Sequence, residues 1–288
     1  MPNTISIAYL GPCGTYSHEA AQLFADKLVD AERAASLDDI EFVECPSFNT
    51  VFESVDRGKT TYGVVPTENS LEGAVTSTLD NFAFSSNAVI VGQLVLPIHH
   101  CLIMHPHAHR DDIERVASHA QGLAQCRRYL MANMPTTPTF TTSSTAESAQ
   151  MAAGDIHTAA IANAYAAQYH GAVVVEHDIE DHLGNETSFV LIAPQGTAPV
   201  LKGEKYKTSL ALFMNQDKPG TLQMILSEFA YASVNLTMIQ SRPTKQGLGD
   251  YMFFVDIEGR DTDPDVQMAL NCLKLKLREV KVLGSFPI

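Results

Sequence analysis

Four short segments of this 288-residue chain are richer in small polar side chains than packing requires. They are GPCGTYS at 11–17, PTENSLEG at 66–73, SHAQGLAQC at 118–126 and NETSF at 185–189. In PTENSLEG, Glu68 is a candidate general acid or base, and Asn69 and Ser70 are candidate hydrogen-bond donors. The rival reading has Ser70 merely capping a helix. The 11–17 turn opens a helix, so its free backbone N–H groups and the Thr15 and Ser17 hydroxyls suit a carboxylate. It lacks both the GK[ST] ending and the GxGxxG spacing of a phosphate cradle, and an ordinary strand-to-helix turn stays open as its alternative. Neither HExxH nor a nucleophile elbow is present, which disfavours hydrolases. His99, His100, His105, His107 and His109 invite a metal reading. However, adjacent His99 and His100 point to opposite faces of a strand, and the other three share a loop with Pro106. A structural or solvated cluster is favoured, and no metal or cofactor is expected.

Each segment closes a predicted strand, where open α/β sheets hold ligand loops. Apolar runs at 5–10, 41–45, 62–65, 116–118, 139–141, 159–162, 172–175 and 188–193 predict strands, the third ending at Pro66. Residues 88–104 predict one long strand or two consecutive ones. Helices are predicted from an N-cap at Ser17 through Leu28, and over 48–55, 74–84, 122–131, 145–153 and 162–169. This alternation predicts parallel α/β layers. Residues 194–207 have no hydrophobic period and predict a linker. Beyond it come a strand at 210–214, a helix marked by Leu222, Ile225, Leu226 and Phe229, and strands at 234–238 and 251–257 around a turn at Gln246 and Gly247. A helix at 266–273 and a strand at 280–286 complete a ferredoxin-like βαββαβ unit. A core of ~80 residues is small, so docking to a second copy is expected.

The formal charge of −14 repels nucleic acid and anionic membranes, so neither is an expected partner. An anionic substrate must be caught by local donors. No run approaches the ~20 apolar residues of a membrane span, and 5–10 lacks the flanks of a signal peptide. Five cysteines, far apart and in no CxxC pair, suit reduced thiols and a cytoplasmic location.

YLGPCGTYS (9–17), GVVPTENSLEGAV (63–75), VASHAQGLAQC (116–126), STAESA (144–149) and NETSF (185–189) resemble, in order, the motifs of prephenate dehydratases. KPGTL (218–222), QSRP (240–243) and KVLGSFP (281–287) resemble the ACT regulatory domain that ends such chains. The resemblance implies an α/β catalytic region at 1–193 with two lobes, as in type II periplasmic binding proteins. Lobe 1 would span about 1–98 plus 188–193 and lobe 2 about 99–187, followed by the linker and the ACT domain at 208–288. The implied reaction is decarboxylative dehydration of prephenate to phenylpyruvate in phenylalanine biosynthesis, without cofactor or metal.

Thr187 stands at the family's essential threonine, with Ser70, Asn69 and Glu68 as its implied catalytic partners. Gly14, Thr15, Ser17, His119, Gln121, Ser144, Thr145 and Phe189 are the implied substrate contacts. L-Phenylalanine is the implied feedback effector, held by Pro219, Gly220, Thr221, Leu222, Gln240, Ser241, Arg242 and Pro243, in a homodimer or homotetramer. The family's arginine after the threonine is Ser188 here, and its usual glutamate is Gln240. Ala120 and Gly122 replace a commoner proline and alanine. If the arginine holds a substrate carboxylate, its loss leaves anion binding to N–H groups and hydroxyls. That keeps open arogenate as substrate, or a non-catalytic two-lobed amino-acid sensor.

Overall fold

The computed structural model describes residues 5–288 apart from 217, 246, 248 and 249, so Gln246 of the expected turn lies outside the described residues. Strand β1 (Ile5–Leu10) leads into helix α1 (Tyr16–Asp30). The N-cap is Thr15 and not Ser17: the Thr15 side chain accepts from the His18 N–H. Ala20, Ala21, Phe24, Ala25 and Leu28 then bury one helical stripe against the sheet. β2 (Ile40–Cys45), α2 (Phe48–Asp56) and β3 (Tyr62–Asn69) follow, with β1 parallel to both strands. β3 does not stop at Pro66. The strand bulges here instead, with Thr67 the extra residue between the Pro66–Phe189 and Glu68–Ser188 pairs, which accommodates a residue without an N–H. A short return strand β4 (Gly73–Ala74), helix α3 (Thr76–Asp80) and a π-helical turn at Asn81–Ser85 lead to β5 (Val89–Pro97).

The apolar stretch 88–104 is two strands in different sheets, because residues 98–100 cross from β5 to β6 (Cys101–Met104). The second sheet adds β7 (Arg115–His119), β8 (Thr139–Thr142), β9 (Thr158–Ala162) and β10 (Val173–Glu176), ordered β10-β6-β9-β7-β8. Its helices are α4 (Ala120–Gln125), α5 (Arg127–Asn133), α6 (Thr145–Gly154) and α7 (Ala164–His170). β11 (Glu186–Ala193) then re-enters the first sheet between β3 and β5, antiparallel to both. Both sheets are therefore mixed, correcting the expectation of parallel layers, since β6 also runs antiparallel to β9 and β10. The chain crosses between layers at 98–100 and 177–185, and the crossings are bonded together. Ile179 N–H donates to the His100 carbonyl (3.0 Å), and Ile98 N–H to the Asn185 carbonyl (2.8 Å). Two lobes thus share a double hinge.

The stretch expected as a linker is docked on the first lobe, with Val200 buried and Leu201 against its core. β12 (Tyr206–Phe213) begins inside it. α8 (Thr221–Tyr231), β13 (Leu236–Pro243), β14 (Tyr251–Glu258), α9 (Pro264–Lys276) and β15 (Glu279–Pro287) complete a βαββαβ unit ordered β13-β14-β12-β15. Ile225, Phe229, Val266, Leu270 and Leu273 join the two helices to the sheet, while Leu222 and Leu226 stay 41% and 39% exposed. The opposite sheet face lies on the first lobe. Phe213, Phe254, Leu283 and Phe286 share a core with Val65, Ile90, Val190 and Ile192, each buried phenylalanine stabilising by ~1.5–3 kcal/mol. The backbones come so close that a β-carbon on Gly284 would lie 2.2 Å from the Ile90 carbonyl oxygen, so only glycine fits.

Candidate active site

A cleft of about 540 Å³ separates the two lobes, a size suited to a small metabolite. Leu10, Pro66, Thr187 and Phe189 form its first-lobe wall, and His119, Gln121, Ser144 and Thr145 its second-lobe wall. The first turn of α1 contributes Thr15, Tyr16 and Ser17, and the start of α6 contributes Ser143, Ser144 and Thr145. Two helix N-termini therefore face the cleft from opposite lobes, each carrying roughly half a positive charge. No lysine or arginine is among the described residues lining it. Glu72 supplies its one carboxylate, and Gln121 Nε2 reaches across the opening to donate to Glu72 Oε1 (3.2 Å).

Thr187 is buried in β11 opposite Asn69 of β3. Asn69 Oδ1 accepts from the backbone N–H groups of Leu71 and Glu72, both at 3.0 Å, which fixes the orientation of the amide. Its Nδ2 consequently faces β11, donating to Thr187 Oγ (2.9 Å) and Asn185 Oδ1 (2.8 Å). With an acceptor site of the threonine oxygen taken, the hydroxyl proton is free to be aimed at a ligand. Residues 185, 187 and 189 alternate onto one strand face, which is why Asn185, Thr187 and Phe189 all line the cleft.

At the hinge end, His100 is 4% exposed and its Nε2 lies 2.7 Å from Gln125 Oε1. Burial lowers its pKa, so the ring is neutral. His18, stacked on Tyr9 behind the glycine turn, is likewise lowered by burial and accepts the Gly14 N–H at Nδ1 (3.0 Å). His99 turns the other way, placing Nδ1 3.0 Å from Asp178 and 2.9 Å from Glu180. Among the described residues these three form the one group with metal-ligand spacing, and their mutual hydrogen bonding already accounts for the cluster.

Residues 7–197 match the family described as prephenate dehydratase, and residues 209–271 match the ACT domain. The chain belongs to the prephenate dehydratase family. It is 38% identical to a bifunctional chorismate mutase/prephenate dehydratase from Stutzerimonas stutzeri, over 98% of this chain and 73% of that one. A crystal structure of prephenate dehydratase in complex with L-Phe from Arthrobacter aurescens superposes with a TM-score of 0.83 at 34% identity, covering 99% and 90% of the two chains. GqqA, described as a novel type of quorum-quenching acylase, superposes at 0.80 with 25% identity over 98% and 97%.

Within this prephenate dehydratase framework, the cleft gathers Thr187, Asn69, Thr15, Ser17, His119, Gln121, Ser144, Thr145 and Phe189. It does not gather three other candidates. Glu68 lies beside the first sheet's contact with the C-terminal unit, because it sits one register position from Asn69 on an alternating strand. Gly14 is buried against the second lobe and gives its N–H to His18. Ser70 accepts the Glu186 N–H (2.9 Å), tying β3 to β11, and does not cap a helix. His119 caps α4, accepting from the Gln121 N–H (3.3 Å). Asn185, Glu72 and Gln125 were not picked out within their segments, and His100 was read only as part of the histidine cluster. Asn185 alone carried a usable signal, its two-residue spacing from Thr187 in NETSF.

Ser188 also faces away from the cleft, toward a small enclosed cavity of about 110 Å³ between the first sheet and the C-terminal sheet. Its hydroxyl receives Gln93 Nε2 at 2.6 Å. An arginine at this position would therefore point at Glu68 and Asp256, not at substrate. The other two proposed ligand segments converge at one end of the C-terminal sheet, since Phe213 and Arg242 both pair with Met252 and residues 219–222 follow the first of these. Gln240 lines the cavity between the sheets.

Proposed function

We propose that the chain converts prephenate to phenylpyruvate, carbon dioxide and water, with Thr187 assisting the departing hydroxyl. The observation that carries this reading is the Asn69 Nδ2 contact on Thr187 Oγ, which leaves the threonine O–H as a directed donor inside the cleft. As the C1 carboxylate leaves as carbon dioxide, its bonding electrons pass through the ring and expel the C4 hydroxyl, which takes up a proton and departs as water. A threonine is too weak an acid to release a free proton at neutral pH. It acts by hydrogen bonding to the leaving oxygen, with the proton replaced from water. Aromatisation supplies the driving force.

The dianionic substrate is matched by the N-termini of α1 and α6 together with Gln121, Ser144 and Thr145. Because Ser188 points elsewhere, its departure from the family pattern bears on the domain contact and not on anion capture. Residues 208–288 act as the regulatory domain, taking L-phenylalanine between 219–222 and 240–243, in a dimer or tetramer. A cytoplasmic setting agrees with five unbridged cysteines.

Purified protein incubated with prephenate should yield phenylpyruvate, read by its enolate absorbance in alkali. Thr187→Val keeps the shape and deletes the donor, and should slow turnover ~10²-fold, or about 2.7 kcal/mol of barrier. A folded valine variant with normal kcat removes Thr187 from the mechanism.

A further inference from the structure

The end of α3 and the π-helical segment after it are held by three cations of the C-terminal unit. Arg242 Nη2 donates to Asp80 Oδ1 (2.7 Å), and Lys245 Nζ lies 2.8 Å from Asp80 Oδ2. Lys281 Nζ donates to the carbonyls of Phe82 (2.6 Å) and Ser86 (2.8 Å), the second just past the turn. Burial alone would raise the Asp80 carboxyl, but the two cations more than offset it and hold it below the usual range. Phe84 adds an edge contact to Phe213, with its ring under the Lys245 ammonium. No other part of the C-terminal unit reaches the first lobe with this density of charge among the described contacts.

The other end of the same segment touches the chemistry. α3 begins at its N-cap Val75, which lines the cleft, and Val75 follows directly on the β3–β4 hairpin that carries Asn69 and Glu72. Val75 N–H donates to the Thr67 carbonyl (2.8 Å), fixing the start of α3 to β3. Asn81 Nδ2 donates to Asn49 Oδ1 (2.7 Å) on α2, whose Phe48 also lines the cleft. A π-helical turn is rare and is often found at functional sites.

We infer that Asp80 is a positioning residue through which occupation of the 240–243 motif is transmitted to the Asn69 hairpin. The inference rests on the reading of that motif as the L-phenylalanine site. Arg242 belongs to the motif and holds Asp80, so a ligand that reorganises Arg242 loads or unloads the end of α3. The hairpin at the other end presents the amide that orients Thr187. Effector and catalytic donor are then joined by one short, charge-anchored element, and by reciprocity substrate in the cleft must alter L-phenylalanine affinity.

The test uses the full chain as wild type, Asp80→Asn and Asp80→Glu. L-Phenylalanine binding is followed by calorimetry, and turnover is measured with and without saturating effector. Asp80→Asn should bind L-phenylalanine within about threefold of wild type. Its residual turnover at saturating effector should rise at least roughly fivefold toward the uninhibited rate, and Asp80→Glu should restore the inhibition. A merely structural role lowers the melting temperature and basal kcat together and leaves the inhibited-to-uninhibited ratio unchanged; that result overturns the inference. Wild-type protein that binds no L-phenylalanine overturns the effector-site reading instead, and the inference with it, before any variant is made.

Discussion

Thr187 and Ser188 are neighbours in β11 and serve opposite sides of the same sheet. On the cleft side, apart from Glu72 and the His119 ring, the polar groups are neutral: hydroxyls, amides and the buried imidazole of His100. On the side facing the C-terminal sheet, neutral Thr67, Gln93 and Ser188 stand beside ion pairs. Within the C-terminal unit Lys207 lies 3.4 Å from Asp256 and Ser209 Oγ donates to the same carboxylate (2.6 Å), while across the joint Asp80 holds two cations. The difference is chemical. A leaving hydroxyl and a dianion need donors that change partner during turnover without leaving an uncompensated charge. A joint between two bodies instead gains from fixed ion pairs, whose partners would be left stranded if it opened.

The sharpest way to break this comparison is to put a charge on the neutral side. Asn69→Asp removes the donors to Thr187 and Asn185 and places a carboxylate near a dianionic substrate, so kcat/KM should fall ~10³-fold, or about 4 kcal/mol. A loss under tenfold in steady-state assays would detach Asn69 from the transition state. Thr187→Val comes next at ~10². One residue along, Ser188→Ala loses only the Gln93 and Thr67 bonds on the far face, and should cost ~1 kcal/mol of stability while kcat stays within about threefold. If the two neighbouring substitutions gave equal losses of kcat, the division between faces would be wrong.

The smallest effect concerns pH. His18 and His100 are held neutral by burial, so their folded pKa values lie below the ordinary ~6.5. Below that value the unfolded chain binds more protons than the native one. Stability is therefore full above pH ~6.5 and is lost as the pH falls toward the depressed native values. The thermal midpoint should decline over that window, and a flat profile down to pH ~5.5 would contradict the buried neutral rings.

Local patterns in the chain announced most of this molecule. Helix α6 shows its cap at Ser144, which accepts the Glu147 N–H, and its buried alanines. The C-terminal unit shows its alternation in β14 and its proline-led α9. Those features are set by neighbours within a few residues, so composition and period reveal them. Pro66 misled because the bulge at Thr67 that tolerates it exists only against β11, a strand more than a hundred residues away. Glu68 misled for a related reason. Side chains alternate along a strand, but which face meets the cleft is set by what packs behind the sheet.

The amino-acid order alone determined the element types, the set of small polar donors, the lack of basic groups in the four motif segments, and the ferredoxin-like unit at the end. Only the tertiary structure decided which of those donors face a substrate, that β11 returns antiparallel into the first sheet, and that the 194–205 stretch is docked. It also brought Asp80 to Arg242 across 162 positions of chain. Local preference acts over a few residues, whereas burial and pairing are settled between surfaces that meet only once the chain has closed on itself.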